Sequence, residues 1–174
     1  ASEVEFYRRL KPERGTWLDE LATTFDREAG EPLPDFTHIP PVLVDHVSAP
    51  GTFFLVTPMH IVTTATLHHL QGKNAGGNFD RRRFRPNLVI ETDAAFDGLA
   101  EQAWVGKKIV IGDLAIDCAG GTPRCGAVTR AQPSFPADTS ILRTIVKEAD
   151  QNVGVYGLIA AGGSVRVGDA VSVG

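Results

Sequence analysis

From Asn87 to the C-terminus the chain is written in short apolar runs separated by glycine-bearing turns, a pattern that restricts it to a small, mainly β architecture. The runs Asn87–Glu91, Lys108–Ile111, Leu114–Cys118, Ala127–Thr129, Val155–Ala160, Ser164–Val167 and Ala170–Val173 have the length and composition of strands. Between them Gly112-Asp113, Gly162-Gly163 and Gly168-Asp169 supply the tight or positive-φ positions that reverse a chain. Two helices interrupt the pattern. Ile141, Leu142, Ile145 and Val146 recur at helical spacing between Thr139 and Asp150. Upstream, a strand at His60–Val62 runs into Thr63 and Thr64, hydroxyl caps for a short helix over Ala65–Leu70. Such a strand-to-helix junction leaves backbone N–H groups free, and these favour anions. Short strands that close on themselves with peripheral helices fit a small β-barrel better than a sandwich.

The first 50 residues read differently. Apolar positions among charges over Glu3–Leu21 suit two short helices interrupted at Pro12 and Gly15. Pro32, Pro34, Pro40, Pro41 and Pro50 then fix φ and remove backbone donors, which suits an extended connector. The expected organisation is therefore an N-terminal extension over 1–50 and one domain over 51–174, in keeping with a length of 174 residues.

Composition excludes several classes of function. A net charge of −4 argues against a nucleic-acid surface. Two cysteines are too few for a disulfide scaffold or a structural zinc or iron–sulfur site, and they point to a reducing, cytoplasmic setting. The longest apolar stretch, Thr52–Leu70, is broken by Pro58, His60, His68 and His69, so neither a membrane span nor a signal peptide is expected.

Chemistry concentrates in two places. Asp80-Arg-Arg-Arg-Phe-Arg-Pro-Asn87 crowds guanidinium groups just before a strand. A solvated edge that discourages strand pairing and an anion site are equally compatible with that composition. If the segment is extended, alternation puts Arg83, Arg85 and Asn87 on one face, suited to a phosphate or a heteroaromatic ring. The second place is Cys125, after Thr122-Pro123-Arg124. Arg124, with Arg83 or Arg85 if the fold brings them near, would favour the thiolate that a soft metal or a persulfide requires. Cys118 lies inside an apolar strand and reads as core. His68 and His69 are neighbours on a helix and so diverge, a surface reading, and His38, His46 and His60 show no metal-like spacing. Neither a serine-nucleophile elbow nor a glycine-rich phosphate loop is present.

In order and spacing, Arg83-Phe84-Arg85-Pro86-Asn87, Trp104-Val105-Gly106, Ile111-Gly112, Pro123-Arg124-Cys125, and Gly154-Val155-Tyr156 with Val167-Gly168-Asp169 resemble the MOSC family. The resemblance runs from about Gly51 to the C-terminus and is nearest the branch that includes the mitochondrial amidoxime-reducing component. It implies a MOSC-type β-barrel of the pyruvate-kinase-barrel-like kind and a molybdenum-molybdopterin cofactor. Cys125 is then the metal ligand and the catalytic position. Thr63, Asp80, Arg83, Arg85, Asn87 and Tyr156 are the implied cofactor-binding positions; pyridoxal phosphate binding is attached to the family by description only. Residues 1–50 do not look like the N-terminal region that completes the barrel in that branch, which implies a second chain supplying it, its removal, or a shortened variant.

Three functions follow as expectations. The first is part of an oxidoreductase reducing N-oxygenated substrates by oxygen-atom transfer, with electrons from an external flavin, haem or iron–sulfur protein. The second is a sulfur or cofactor carrier using a Cys125 persulfide. The third is a non-catalytic barrel acting in protein interaction. The geometry that bears most directly on them is a closed barrel with Cys125 opening onto a cavity walled by Arg85, Asn87 and Tyr156.

Overall fold

A computed structural model of the chain describes residues 22–34 and 56–174. The helices expected over 3–21 and the part of the proline-rich connector at 35–50 lie outside the described residues. In chain order the elements are β1 (Met59–Thr63), α1 (Thr64–Lys73), β2 (Leu88–Ile90), β3 (Lys108–Ile111), β4 (Leu114–Pro123), α2 (Ser140–Ala149), β5 (Asn152–Ala161) and β6 (Ser172–Val173). Three 3-10 turns intervene, at Arg81–Arg83, Ala100–Trp104 and Gly126–Thr129.

The strands form one curled, mixed sheet in the order β2-β1-β5-β4-β3-β6, a half-barrel consistent with the expected mainly β class. All pairings are antiparallel except β1 with β2, which need a crossover and receive it from α1 and the Arg81–Arg83 turn. The sheet keeps two edges, β2 and β6, and among the described residues no pairing between them closes it. Two expected strands are absent. Gly126–Thr129 is a 3-10 turn, because the Cys125 carbonyl accepts from Val128 N–H at 3.3 Å instead of entering a ladder. Ser164–Val167 leads into a turn in which Asp169 N–H donates to the Arg166 carbonyl at 3.1 Å, with Gly168 at φ 97°.

Both faces of the sheet are buried in its middle. Ile61, Ile109, Ile111, Ile116, Cys118 and Val155 make one core. Val62 and Val153 face the other way, onto Leu70 of α1 and Ile141, Leu142 and Ile145 of α2. Neighbours on β1 thus serve opposite cores, the consequence of a two-residue period. The two faces change over on β5 at Gly154, whose φ is +90°. A Cβ there would meet the Ile61 carbonyl at 2.6 Å and the His60 ring, so only glycine lets β1 and β5 approach. Gly154→Ala should lower the unfolding free energy by about 2 kcal/mol or more, from a left-handed backbone and a backbone clash together. Urea titration checks this; a midpoint matching wild type would mean that the close approach is not needed.

Candidate functional site

The two motifs singled out in the sequence meet through Arg124. Its side chain is buried, and its guanidinium donates from Nε to the Val153 carbonyl at 2.9 Å and from Nη1 to the Phe84 carbonyl at 3.3 Å. Nη2 also reaches Val153 and the Nε2 of His60, and the cation lies 5.6 Å from the centre of the Phe84 ring. Arg124 therefore fastens the residue before Cys125 to the residue before Arg85. Burial pulls its pKa down to about 10, while Tyr156, Cys125 and Glu101 act to raise it, so the cation persists at neutral pH.

His60, which sequence reasoning passed over for want of metal-like spacing, sits at the centre of this arrangement. The ring is packed between the Arg124 guanidinium and the Val153 carbonyl, which lies 3.3 Å from its Nε2, and burial beside a cation keeps it neutral. Burial first, then the charge of Arg124, lowers its pKa to about 3, against hydrogen bonds with the Val153 and Arg85 backbones. The His60 backbone is also clamped: its N–H donates to Asn87 Oδ1 and its carbonyl accepts from Asn87 N–H, each at 2.8 Å. Tyr156, on β5, is the cross-strand partner of His60 on β1 and of Gly120 on β4. Its phenol pKa is raised by burial and by Cys125, against Arg124.

The structure thus brings Arg85, Asn87, Tyr156 and Cys125 around Arg124 and His60. Cys125 is half-buried at the start of the Gly126–Thr129 turn. Arg85 is exposed with φ +51° immediately before Pro86. A residue before proline is normally extended, so this conformation costs roughly 1–3 kcal/mol, and such strain persists where surrounding structure or function holds it. Cys118 is core, its thiol pushed up to about 11 by burial and Asp117, which makes it a poor nucleophile.

Three candidates are committed to partners within the chain, Thr63 and Arg83 in the interior and Asp80 at the surface. The extended alternation that aligned Arg83 with Arg85 and Asn87 does not form, because Arg81–Arg83 is a 3-10 turn capped by Asp80. Arg83 is buried and donates to the carbonyls of Val128, Arg130 and Pro136 at 3.2, 3.2 and 2.9 Å. Asp80 grips Arg82, whose side chain holds that carboxyl down at about pKa 2. Thr63 caps α1 and donates to Glu101 at 2.5 Å, wholly buried. The free N–H groups expected at this junction are also taken, Thr66 N–H by Thr63 and Ala65 N–H by Thr92, so it offers no open anion site. Glu101, missed in the sequence because a lone acid in a turn carries no signal, accepts from Thr63, Thr66 and Gly154 N–H. His69, read as surface, is paired with Asp97 at 2.9 Å.

A groove of about 1420 Å³ runs along β2 and the segment leading to β6, lined by Arg85, Asn87, Trp104, Ile111, Arg166 and Val173 among others. Tyr156 and Cys125 do not line it, so this groove is not the expected single cavity walled by all four positions. Among the described residues no group of three or more His, Cys, Asp or Glu side chains could hold a metal ion together. Nor is any helix among them long and apolar enough to cross a membrane.

A family model described as the MOSC domain matches residues 50–172. The YuaD protein of Bacillus subtilis, known from its crystal structure, shares the fold with a TM-score of 0.53 at 20% identity, over 72% of this chain and 68% of that one. Among proteins with curated descriptions none matches.

His60 supplies a pH test of this geometry. Unfolded, its imidazole titrates near 6.5; folded, near 3. Between these values the unfolded chain binds a proton that the folded one refuses, so stability falls as pH drops, by up to ~1.4 kcal/mol per unit. Melting curves from about pH 7 to about pH 4 should fall more steeply for wild type than for His60→Gln. Equal slopes would show that the ring is not buried in its neutral form.

Proposed function

The chain belongs to the MOSC domain family, and on that footing we propose that it binds a molybdenum-molybdopterin cofactor and forms part of an oxidoreductase acting on N-oxygenated substrates. The observation that carries this reading is the Arg124 bond to the Phe84 carbonyl, which joins the Cys125 loop to the Arg85–Asn87 segment. The donor set suits the group. Cys125 is half-buried, as a thiolate ligand to a soft metal needs to be. Arg85 lines a groove with space for a pterin and a phosphate, and its fork suits an anion. Asn87 spends its carbonyl on His60 N–H, which leaves its NH2 donors for a ligand.

When bound, the cofactor supplies two-electron oxygen-atom transfer. The protein's part is to hold and to shield. Arg124 fixes the backbone on both sides of the site and contributes a buried positive charge. Tyr156 keeps its proton at neutral pH and serves as a hydroxyl donor. His60, neutral down to about pH 3, acts as a spacer between Arg124 and the Arg85 backbone. Thr63 and Arg83 shape the loops from within, and Asp80 caps the Arg81–Arg83 turn at the surface. Electrons would come from a separate flavin, haem or iron–sulfur protein, and a chain region completing the barrel would add to the free sheet edges.

A second reading is favoured by the internal commitment of those three side chains, which leaves few grips for a large cofactor: a carrier in which Cys125 bears a persulfide. Metal analysis by mass spectrometry of the chain made in a cofactor-producing host separates the two. Near-stoichiometric molybdenum should fall by roughly tenfold or more in Cys125→Ser. Arg85→Gly should also lose metal while the fold keeps or gains up to about 1 kcal/mol, since glycine relieves the left-handed backbone. A metal-free protein whose Cys125 carries one added sulfur atom would establish the carrier instead. Neither metal nor added sulfur would leave an interaction domain.

A further inference from the structure

The N-terminal segment 22–34 lies outside the residues 50–172 that match the family model, and it packs against the cysteine loop. Gln151 is fully buried, and its single Nε2 donates both to the Arg124 carbonyl at 2.7 Å and to the Phe25 carbonyl at 3.2 Å. On the other side of the cysteine, the Thr24 carbonyl lies 3.9 Å from the position a Cβ would take on Gly126. The peptide at 24–25 therefore runs alongside 124–126 and flanks Cys125 on both sides. Further along, Arg143 of α2 gathers the segment's acids. Its guanidinium is 3.2 Å from Glu31, 3.4 Å from Glu28 and 3.7 Å from Asp26, and it donates to the Asp26 carbonyl.

We propose that residues 22–34 form a strap over the Cys125 loop, held down by Arg143, which sets how readily the thiol is reached. The grip is mainly polar. Glu28 and Asp26 are largely exposed, and Pro34 is the segment's one buried residue. Two strap-side donors are imperfectly placed: the Nε atoms of Arg27 and Arg143 are buried without partners. Exposed ion pairs of this kind are individually weak and are screened by salt. A segment so held opens locally without unfolding the sheet. The strap would thus exclude bulky thiol reagents and competing oxidants from Cys125 while remaining releasable by a partner or by ionic strength. The inference concerns access to Cys125 alone and does not depend on what the thiol carries.

The test uses the full chain from a host that makes no molybdopterin, reduced with dithiothreitol and then desalted, so that neither cofactor nor a persulfide sulfur occupies Cys125 whichever function holds. Its rate of alkylation by iodoacetamide, an uncharged reagent, is read by peptide mass spectrometry at low and high NaCl, with Cys125→Ser giving the background from buried Cys118. Wild type should react faster at high salt. Arg143→Ala should react faster by roughly tenfold at low salt and lose most of the salt dependence, with amides of 22–34 exchanging faster and those of β4 and β5 unchanged. The same rate as wild type at both salts, in a folded variant, overturns the proposal. If Arg143→Ala fails to fold, the Asp26→Asn, Glu28→Gln, Glu31→Gln triple variant removes the three charges that Arg143 gathers on the strap side, and unchanged alkylation there counts equally against it.

Discussion

A buried guanidinium is the constraint on which the site depends. Removing a cation from water costs several kcal/mol unless its donors are satisfied, and truncating one partner of such a group leaves the rest uncompensated. Arg124 is satisfied largely by main-chain carbonyls, Val153 on β5 and Phe84 before β2, with the Phe84 ring beside it. Carbonyls accept hydrogen bonds without cancelling charge. Arg124 therefore stays a cation at neutral pH, fixed beneath the backbone of Cys125 by bonds that leave its charge in place. Because the bonds are to main chain, the geometry survives variation in the side chains that line the groove.

Glu101 is the counterpart on the other side of β1. A fully buried carboxylate is tolerated here because Thr63, Thr66 and the Gly154 N–H all donate to it. It ties the start of α1 to the glycine at which β5 changes faces. Arg124 and Glu101 thus hold β5 at Val153 and Gly154, adjacent residues, from opposite sides. That stretch fixes where Tyr156 emerges. Gln151, next to Asp150 at the end of α2 and also at positive φ, extends the same clamp to the Arg124 carbonyl and to the strap.

Most of the strand pattern and the two helices were legible in the sequence because each is local: alternation, helical spacing and a turn glycine show themselves within a few residues. What stayed hidden depends on contacts far apart in the chain. Arg83 and Arg85 look alike in a run of arginines, yet one is buried under three carbonyls and the other is exposed, a difference decided by a 3-10 turn that Asp80 caps. Thr63 was legible as a helix cap, but its acidic partner lies 38 residues on. His60 had no motif to flag it; its neutrality comes from Arg124, 64 residues away, and from burial. Ala127–Thr129 has strand-like composition, and tertiary context overrode it, as β-propensity allows.

The free edge of the sheet falls where the site needs space. β2 has three residues and follows Pro86, which has no N–H to offer a ladder, so it is a poor template for another strand. The groove lies between this edge and the segment that leads to β6. Closing the barrel by pairing β2 directly with β6 would fill that space and remove the opening in which Arg85 stands. Among the described residues, a short β2, a strained arginine at its mouth and a recess lined by guanidinium groups are therefore parts of one arrangement, and a segment that completes the sheet has to leave that recess open.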